Sequence, residues 1–502
     1  MSAPTPRLAL TFAFFVGILL LYLALSPFSA AGMGYVGEEM NACRQIGSRL
    51  LVGHGPVEWP RNGAAGLLFE CPFMAAGDAF LGTSTLSEDV GLSWQPAVVT
   101  ALLVTLVFVW GSRLAQSRAW GFVLATAMGF ATLLWPYAYI GLETTQSFFL
   151  LAAGFLALDE PWPSSSPARS ASPRGWGRCV LFGLFAGIAV GVKSGGMLLL
   201  PAVAYLTWCF LRGTQGAARA SAGKTAVTLL VIALLFAANA YVRHVAWVRF
   251  GGAANFAALW LVRDPISPLL NLVALLASPN KGLFLYAPLT LLAVIALPRA
   301  FRAAPRVAVF AGLTLLGLAG GLSLLGMWSD ETWGPRYLHS AVAPLVLCLA
   351  ASKRDRPLRF LLEPALVLAV AIGLAVSFLG VAFYYGTLMA VATTATTPTL
   401  ETLQTDMTWN HVRFNGRLLR VWLRSRRGAD YPQYLPPGWF WSFRRLQQPP
   451  DWKRVDLTPF AHPQPLLLQA LEPRSPARRA APGLAAALIA GIGLLVFVRR
   501  AP

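Results

Sequence analysis

Charge is what this sequence has least of. Only 12% of its 502 residues are charged, against about 25% in a soluble globular chain. Hydrophobic residues make up 56% and the mean hydropathy is +0.59, so the composition is that of a membrane protein. Acids are scarcer than bases, 21 Asp+Glu against 40 Lys+Arg, giving a net charge of +19. In a soluble chain that balance would point to nucleic acid. In a membrane chain the cytoplasmic flanks of helices are expected to be basic, and no nucleic-acid partner is expected. The five cysteines show no CxxC spacing and no His/Cys cluster suggests zinc. No internal repeat stands out.

What is present is a series of apolar runs. About 20 residues at 1.5 Å rise each cross a hydrocarbon layer ~30 Å thick. Twelve such runs are expected to span: 8–27, 94–111, 119–136, 142–158, 178–192, 194–211, 225–242, 283–298, 307–327, 337–351, 360–385 and 483–498. The first is longer than a signal-peptide core and has only Arg7 before it, so it reads as an uncleaved helix.

Loop charge orients them. With the N-terminus inside, the cytoplasmic pieces hold Arg7; Arg113 and Arg118; Arg169, Arg174 and Arg178; and Arg212, Arg219 and Lys224. Arg299, Arg302 and Arg306 follow, then Lys353, Arg354, Arg356 and Arg359, then Arg499 and Arg500. Short outside links carry at most Lys193 or Arg336. This is the positive-inside pattern, and it puts both termini on the cytoplasmic side. The segment 161–175, rich in Pro, Ser, Ala and Arg, reads as a flexible cytoplasmic loop.

Three outside segments are long: 28–93, 243–282 and 386–482. In the first, Met40, Cys43, Ile46 and Leu50 recur at near-helical spacing, and the apolar patch 66–73 is a candidate to dip toward the bilayer. The second alternates apolar stretches with Arg263, Asp264 and prolines, an interfacial pattern. The third opens on a Thr-rich run at 393–400 and then mixes Arg with aromatics, among them Trp409, Arg413, Phe414, Arg417, Arg420, Trp422, Arg424, Trp439 and Trp441. That tail reads either as a binder of sugar or lipid phosphate or as a cap lying on headgroups. Cys43 and Cys71 are the only cysteines in an outside segment. An oxidising compartment would allow a bridge between them, and the sequence leaves bridged and free forms open.

Candidate chemistry collects on the outer side. Glu38 and Glu39 follow the first run directly. Acids at a helix start are favoured by the macrodipole, and the functional alternative is a carboxylate that takes a proton from an acceptor hydroxyl or holds a metal. The other outer links carry Glu143, Lys193, Lys281, Arg336 and Tyr337. A carboxylate and cations converging on one face would suit a lipid phosphate and a sugar. For Lys193 and Arg336 the competing reading is interfacial snorkelling. His54 and His339 are each isolated, which favours plain polar contacts. Asp330 and Glu331 are adjacent acids and a second candidate pair for a divalent cation. No resident metal or other cofactor is otherwise expected.

The order of these parts resembles the GT-C superfamily of polyprenyl-phosphate-sugar glycosyltransferases, notably its family 39-like bacterial members. The matching stretches are Glu38–Glu39, Glu143 opening the fourth run, Gly282–Pro288 and Trp333-Gly-Pro-Arg336, spread over about 350 residues. The family's first acidic position is usually Asp, whereas here it is Glu38, preceded by Gly37. The resemblance implies an all-α, GT-C-like bundle of about twelve membrane helices with long non-cytoplasmic loops. It also implies a lipid-linked sugar donor as substrate. Either Glu38 or Glu39 would deprotonate the acceptor as it attacks the anomeric carbon with inversion, and Arg336, backed by Lys281 and Lys193, would meet the departing phosphate.

The expected division is a multi-pass domain over 1–385, an outer basic and aromatic segment over 386–482, and a final helix with its tail over 483–502. Two other readings compete with the transferase. A transporter or flippase of a lipid-linked or small substrate would need charge at mid-span, which these runs largely lack. An inactive scaffold would explain the Asp-to-Glu departure.

Overall fold

The computed structural model describes residues 8–25, 41–47, 49, 57–58, 65–82, 85–139, 142–158, 175–212, 218–249, 266–324, 333–353, 359–383, 410–425, 468 and 479–500. Among them there is no strand. Besides the helical residues 41–47, the helices are, in order, α1 (Leu8–Leu25), α2 (Leu67–Leu81), α3 (Thr85–Ala115), α4 (Arg118–Phe130), α5 (Leu134–Tyr137), α6 (Leu142–Leu158), α7 (Trp176–Gly191), α8 (Leu200–Arg212) and α9 (Ala218–Arg249). The series continues with α10 (Ser267–Ala277), α11 (Leu283–Tyr286), α12 (Pro288–Ala303), α13 (Pro305–Ser323), α14 (His339–Ser352), α15 (Arg359–Ala382), α16 (His411–Ser425) and α17 (Ala481–Arg500). Short 3-10 turns occupy Ser194–Leu199 and Arg336–Leu338.

Helix stands over every one of the twelve apolar runs. Among the described residues, seven helical stretches are long and apolar enough to cross a membrane: Leu8–Leu25, Gly91–Ala115, Gly195–Arg212, Ala222–Val245, Pro305–Ser323, Glu363–Ala382 and Ala481–Arg500. The chain is thus a multi-pass, all-helical membrane bundle. Two runs divide into separate α-helices, and those at 194–211 and 337–351 open on the 3-10 turns. The run at 119–136 divides into α4 and α5 because Thr132 turns its hydroxyl onto the Met128 carbonyl (2.6 Å) and accepts from the Leu134 N–H (3.2 Å). The carbonyl of Thr132 is met from α15 by the Ser377 hydroxyl at 2.8 Å, so the broken backbone keeps its partners. The run at 283–298 begins instead as the single turn α11, since Pro288 starts a new helix at its first position.

The centre of the bundle is α14, all 14 residues of which are buried. A helix apolar on every side belongs inside, and α14 is surrounded by α3, α6, α12 and α13. The first and last helices pair. Gly17 of α1 and Gly491 of α17 face each other so closely that a methyl group on Gly491 would stand 2.9 Å from the Gly17 carbonyl. Small residues at a crossing let membrane helices approach in this way. On the outer surface Leu230 and Leu234 of α9 and Val367 and Leu368 of α15 remain exposed, as lipid-facing side chains should.

The described residues of the segment 28–93 have their own small core. The helical residues 41–47 and α2 bring together Ala42, Cys43, Leu67 and Met74 with Leu92 of α3. Arg44 grips the Glu88 carboxylate with two nitrogens, Nε at 2.8 Å from Oε1. The patch at 66–73, a candidate to dip toward the bilayer, is the first half of α2 and lies against α3. Cys43 and Cys71 are bridged, with Cα atoms 5.2 Å apart. Closing a separation of 28 residues is worth about 3.5 kcal/mol in the chain-entropy account. In the second outside segment, Leu269–Leu276 lies within α10, which packs on α13. Glu38, Glu39, His54, Asp330, Glu331, the run at 393–400 and the segment 161–174 lie outside the described residues.

Two outcomes follow. Intact protein denatured without reductant should alkylate at three cysteines only, the buried Cys179, Cys209 and Cys348. Five modified thiols would contradict the bridge. With those three replaced by alanine and the bridge kept, a cysteine at position 420 should react with an impermeant reagent applied outside the cytoplasmic membrane, and one at 165 should not. Equal labelling would contradict the loop-charge topology.

Candidate functional site

One end of the bundle gathers the polar chemistry. The chain supplies it from three places: the first turn of α6, the link after α7 and the link before α14. Helix α6 opens on Glu143-Thr-Thr-Gln-Ser147, five polar residues in succession, and all five are buried. Glu143 is 5% exposed, and Lys193 and Arg336 are 8% exposed each. Three such side chains are buried together only if they meet.

They do meet. The Lys193 ammonium donates to Glu143 Oε1, and Arg336 Nε lies 3.5 Å from the same oxygen. The Tyr337 ring completes the group. Lys193 Nζ stands 4.8 Å from its centroid, and Arg336 Cζ 5.0 Å from it. Its hydroxyl also accepts from Arg336 Nη2 at 3.2 Å. Tyr337 is the half-buried member, and so the one nearest the outside. Two cations thus share one carboxylate in a largely dehydrated place.

Backbone geometry delivers these side chains. Gly334 sits at φ +58°, where a side chain is strained, and its Cα faces the Tyr286 ring so closely that a methyl group would stand 2.7 Å from Cδ1. The Trp333 carbonyl accepts from the Tyr137 hydroxyl at 2.7 Å, and the Trp333 and Tyr286 rings meet edge to face at 5.3 Å. Gly334 and Pro335 then turn the chain into the Arg336–Leu338 turn, pointing Arg336 at α6. On the other side Gly196 lets the 194–199 turn lie against the Val190 carbonyl and the Gln146 amide. The Gly191 carbonyl, two residues before Lys193, accepts from Asn239 and from Arg243 Nη2 (2.8 Å). Asn239 also accepts from the Ala65 N–H at 3.2 Å, which ties the first outer segment to the same spot.

Beneath the ion cluster lies a hydrogen-bonded layer. The Ser147 hydroxyl donates to the Glu143 carbonyl at 2.7 Å. His339 Nδ1 lies 2.7 Å from the same hydroxyl oxygen, and the buried His339 ring stands beside the Tyr137 ring at 5.5 Å. Gln146 donates to the Ala189 carbonyl at 3.0 Å and Gln95 to Thr145 Oγ1 at 2.7 Å. Ser340 Oγ lies 2.9 Å from Ser147 Oγ.

Of the residues singled out in the sequence, Glu143, Lys193, Arg336 and Tyr337 come together. Lys281 is buried in the turn at 278–281, whose Ser278 hydroxyl accepts from the Lys281 N–H at 3.0 Å. Tyr286 links that turn to Trp333, since its hydroxyl donates to the Asn280 carbonyl at 2.8 Å. Sequence reading treated His339 as isolated and passed over Gln95, Gln146, Ser147 and Ser340. The polar run opening an otherwise apolar α6 was the available signal. Among the described residues, no three His, Cys, Asp or Glu side chains gather as a metal site.

Compared with models of known families, with curated proteins and with solved structures, the chain matches none.

The arrangement predicts a cost for breaking it. Glu143→Gln leaves two buried cations facing each other without their carboxylate, a change worth about 3–5 kcal/mol. The purified variant should melt well below the unaltered protein, and adding Lys193→Met should recover much of the loss. An unchanged melting temperature for Glu143→Gln would contradict the ion cluster.

Proposed function

We propose that this protein is an inverting glycosyltransferase that takes a sugar from a polyprenyl-phosphate carrier at the non-cytoplasmic face of a bacterial inner membrane. The observation that carries the reading is the convergence of Lys193 and Arg336 on Glu143 beside the half-buried Tyr337 ring. The group lies at a helix end of a membrane bundle, where a lipid phosphate can reach. Two of its members, Glu143 and Arg336, fall on positions by which the sequence resembles the GT-C superfamily. On the same reading all twelve apolar runs cross the membrane and both termini are cytoplasmic.

Each chemical role falls to a named group. The acceptor hydroxyl oxygen attacks the anomeric carbon from the side opposite the phosphate. The bond from that carbon to the phosphate oxygen breaks, and the electron pair leaves with the phosphate. The acceptor's proton passes to the carboxylate of Glu38 or Glu39. Arg336 and Lys193 meet the charge that develops on the leaving phosphate, and Glu143 holds both cations in place beforehand. The half-buried Tyr337 ring offers a face to the sugar. Glu143 itself is already engaged by two cations and is a poor base, which is why proton acceptance is assigned to the acidic pair.

A transporter of a lipid-linked substrate would use the same ion cluster. The buried layer of Gln95, Gln146, Ser147, His339 and Ser340 running inward from it favours that second reading.

Activity separates them. In membranes supplied with a lipid-linked sugar, Glu38→Gln or Glu39→Gln should lower transfer about 10²–10⁴-fold while the protein remains folded and inserted. Arg336→Lys keeps the charge but loses the planar fork, so use of the donor should weaken. Near-normal transfer in the double Gln variant would remove the catalytic assignment. Movement of the intact substrate into proteoliposomes, without sugar transfer, would establish the transporter instead.

A further inference from the structure

Helix α16 carries a surface that the ion cluster does not use. Its sequence, His-Val-Arg-Phe-Asn-Gly-Arg-Leu-Leu-Arg-Val-Trp-Leu-Arg-Ser, contains four arginines and no acid. At 100° per residue, His411, Phe414, Asn415, Leu418 and Trp422 share one face, and all five are buried. Arg413, Arg417, Arg420 and Arg424 follow at spacings of four, three and four, so they stand in one stripe on the opposite face. Arg413, Arg420 and Arg424 are exposed and Arg417 is half-buried. Between the two faces runs an apolar shoulder of Val412, Leu419 and Leu423, with Leu423 51% exposed.

The helix is fixed at the bundle's polar end. Asn410 caps it, accepting from the Arg413 N–H at 2.8 Å, and donates to Asn280 Oδ1 at 3.2 Å. Asn415 donates to the Leu379 and Phe383 carbonyls at 2.9 and 3.1 Å, capping the end of the membrane helix α15. His411 meets the Trp333 ring at 6.0 Å, three residues from Arg336 in the chain. A helix that caps the end of a spanning helix lies at the level where hydrocarbon gives way to headgroups.

We infer that α16 is a lipid-headgroup helix whose arginine stripe binds the phosphates of anionic phospholipids in the leaflet it faces. Two features favour a bilayer over a soluble acidic glycan. An apolar shoulder beside a cationic stripe is what an interfacial helix needs, with the shoulder entering the acyl boundary and the guanidiniums reaching phosphate. A glycan in water would gain nothing from an exposed Leu423. Arginine also suits phosphate, because its planar fork makes paired hydrogen bonds. Each arginine near such a surface is worth about fivefold in relative preference for anionic over zwitterionic lipid. The inference stands apart from sugar transfer and holds equally for a transporter.

The test uses the full chain in nanodiscs of phosphatidylcholine, with and without phosphatidylglycerol. The melting temperature of the unaltered protein should rise with the anionic fraction, and the rise should shrink at high salt. The variant R413Q/R417Q/R420Q/R424Q should melt like the unaltered protein in phosphatidylcholine and lose most of the rise. If the fourfold change prevents folding, R413Q/R417Q and R420Q/R424Q should each lose about half of it. No rise in the unaltered protein, or a full rise in the variants, would overturn the inference. A rise produced by a soluble acidic polysaccharide but not by phosphatidylglycerol would overturn it in favour of a glycan. A rise given only by added polyprenyl phosphate would overturn it in favour of the donor.

Discussion

A charged group at membrane depth is costly unless opposite charge and hydrogen bonds come with it. The ion cluster of Glu143, Lys193 and Arg336 answers that constraint, and much of the architecture around it follows. Each of the three comes from a different connection, so none can be neutralised within its own helix. The start of α6, the end of α7 and the start of α14 must therefore lie at one end of the bundle. The tight backbone at Gly196 and the left-handed Gly334 are the local means by which two of those connections reach inward.

Around that end the fold adds fastenings rather than more charge. Tyr137, Trp333 and Tyr286 lock the link before α14 to α5 and α11. Asn239 and Arg243 hold the end of α7, and Asn239 also holds Ala65 of the first outer segment. The bridge from Cys43 to Cys71 fixes the residues just after Glu38 and Glu39 to α2, which lies on α3.

Much of this was legible in the sequence. Apolar runs of membrane length show by composition, and helix stands over every one, seven of the described helical stretches being long and apolar enough to cross a membrane. Glu143, Lys193 and Arg336 could be named because charge in short outer links is rare in so apolar a chain. Their pairing could not be read, since contacts between residues 50 and 193 positions apart depend on how helices pack. His339 shows the same limit: it looks isolated along the chain and lies 2.7 Å from Ser147 in space. The division between α4 and α5 was hidden because one threonine hydroxyl competes locally with the helix and nothing in the hydropathy records it.

The central claim is that Lys193 and Arg336, held by Glu143, receive the phosphate of a lipid-linked sugar donor. A structure determined with a polyprenyl phosphate bound tests it most directly. The account predicts the phosphate within hydrogen-bond reach of the Arg336 guanidinium and the Lys193 ammonium, beside Tyr337, with the chain leaving along the lipid-facing surface. A phosphate seated instead on the α16 arginines, or away from both cations, would contradict it.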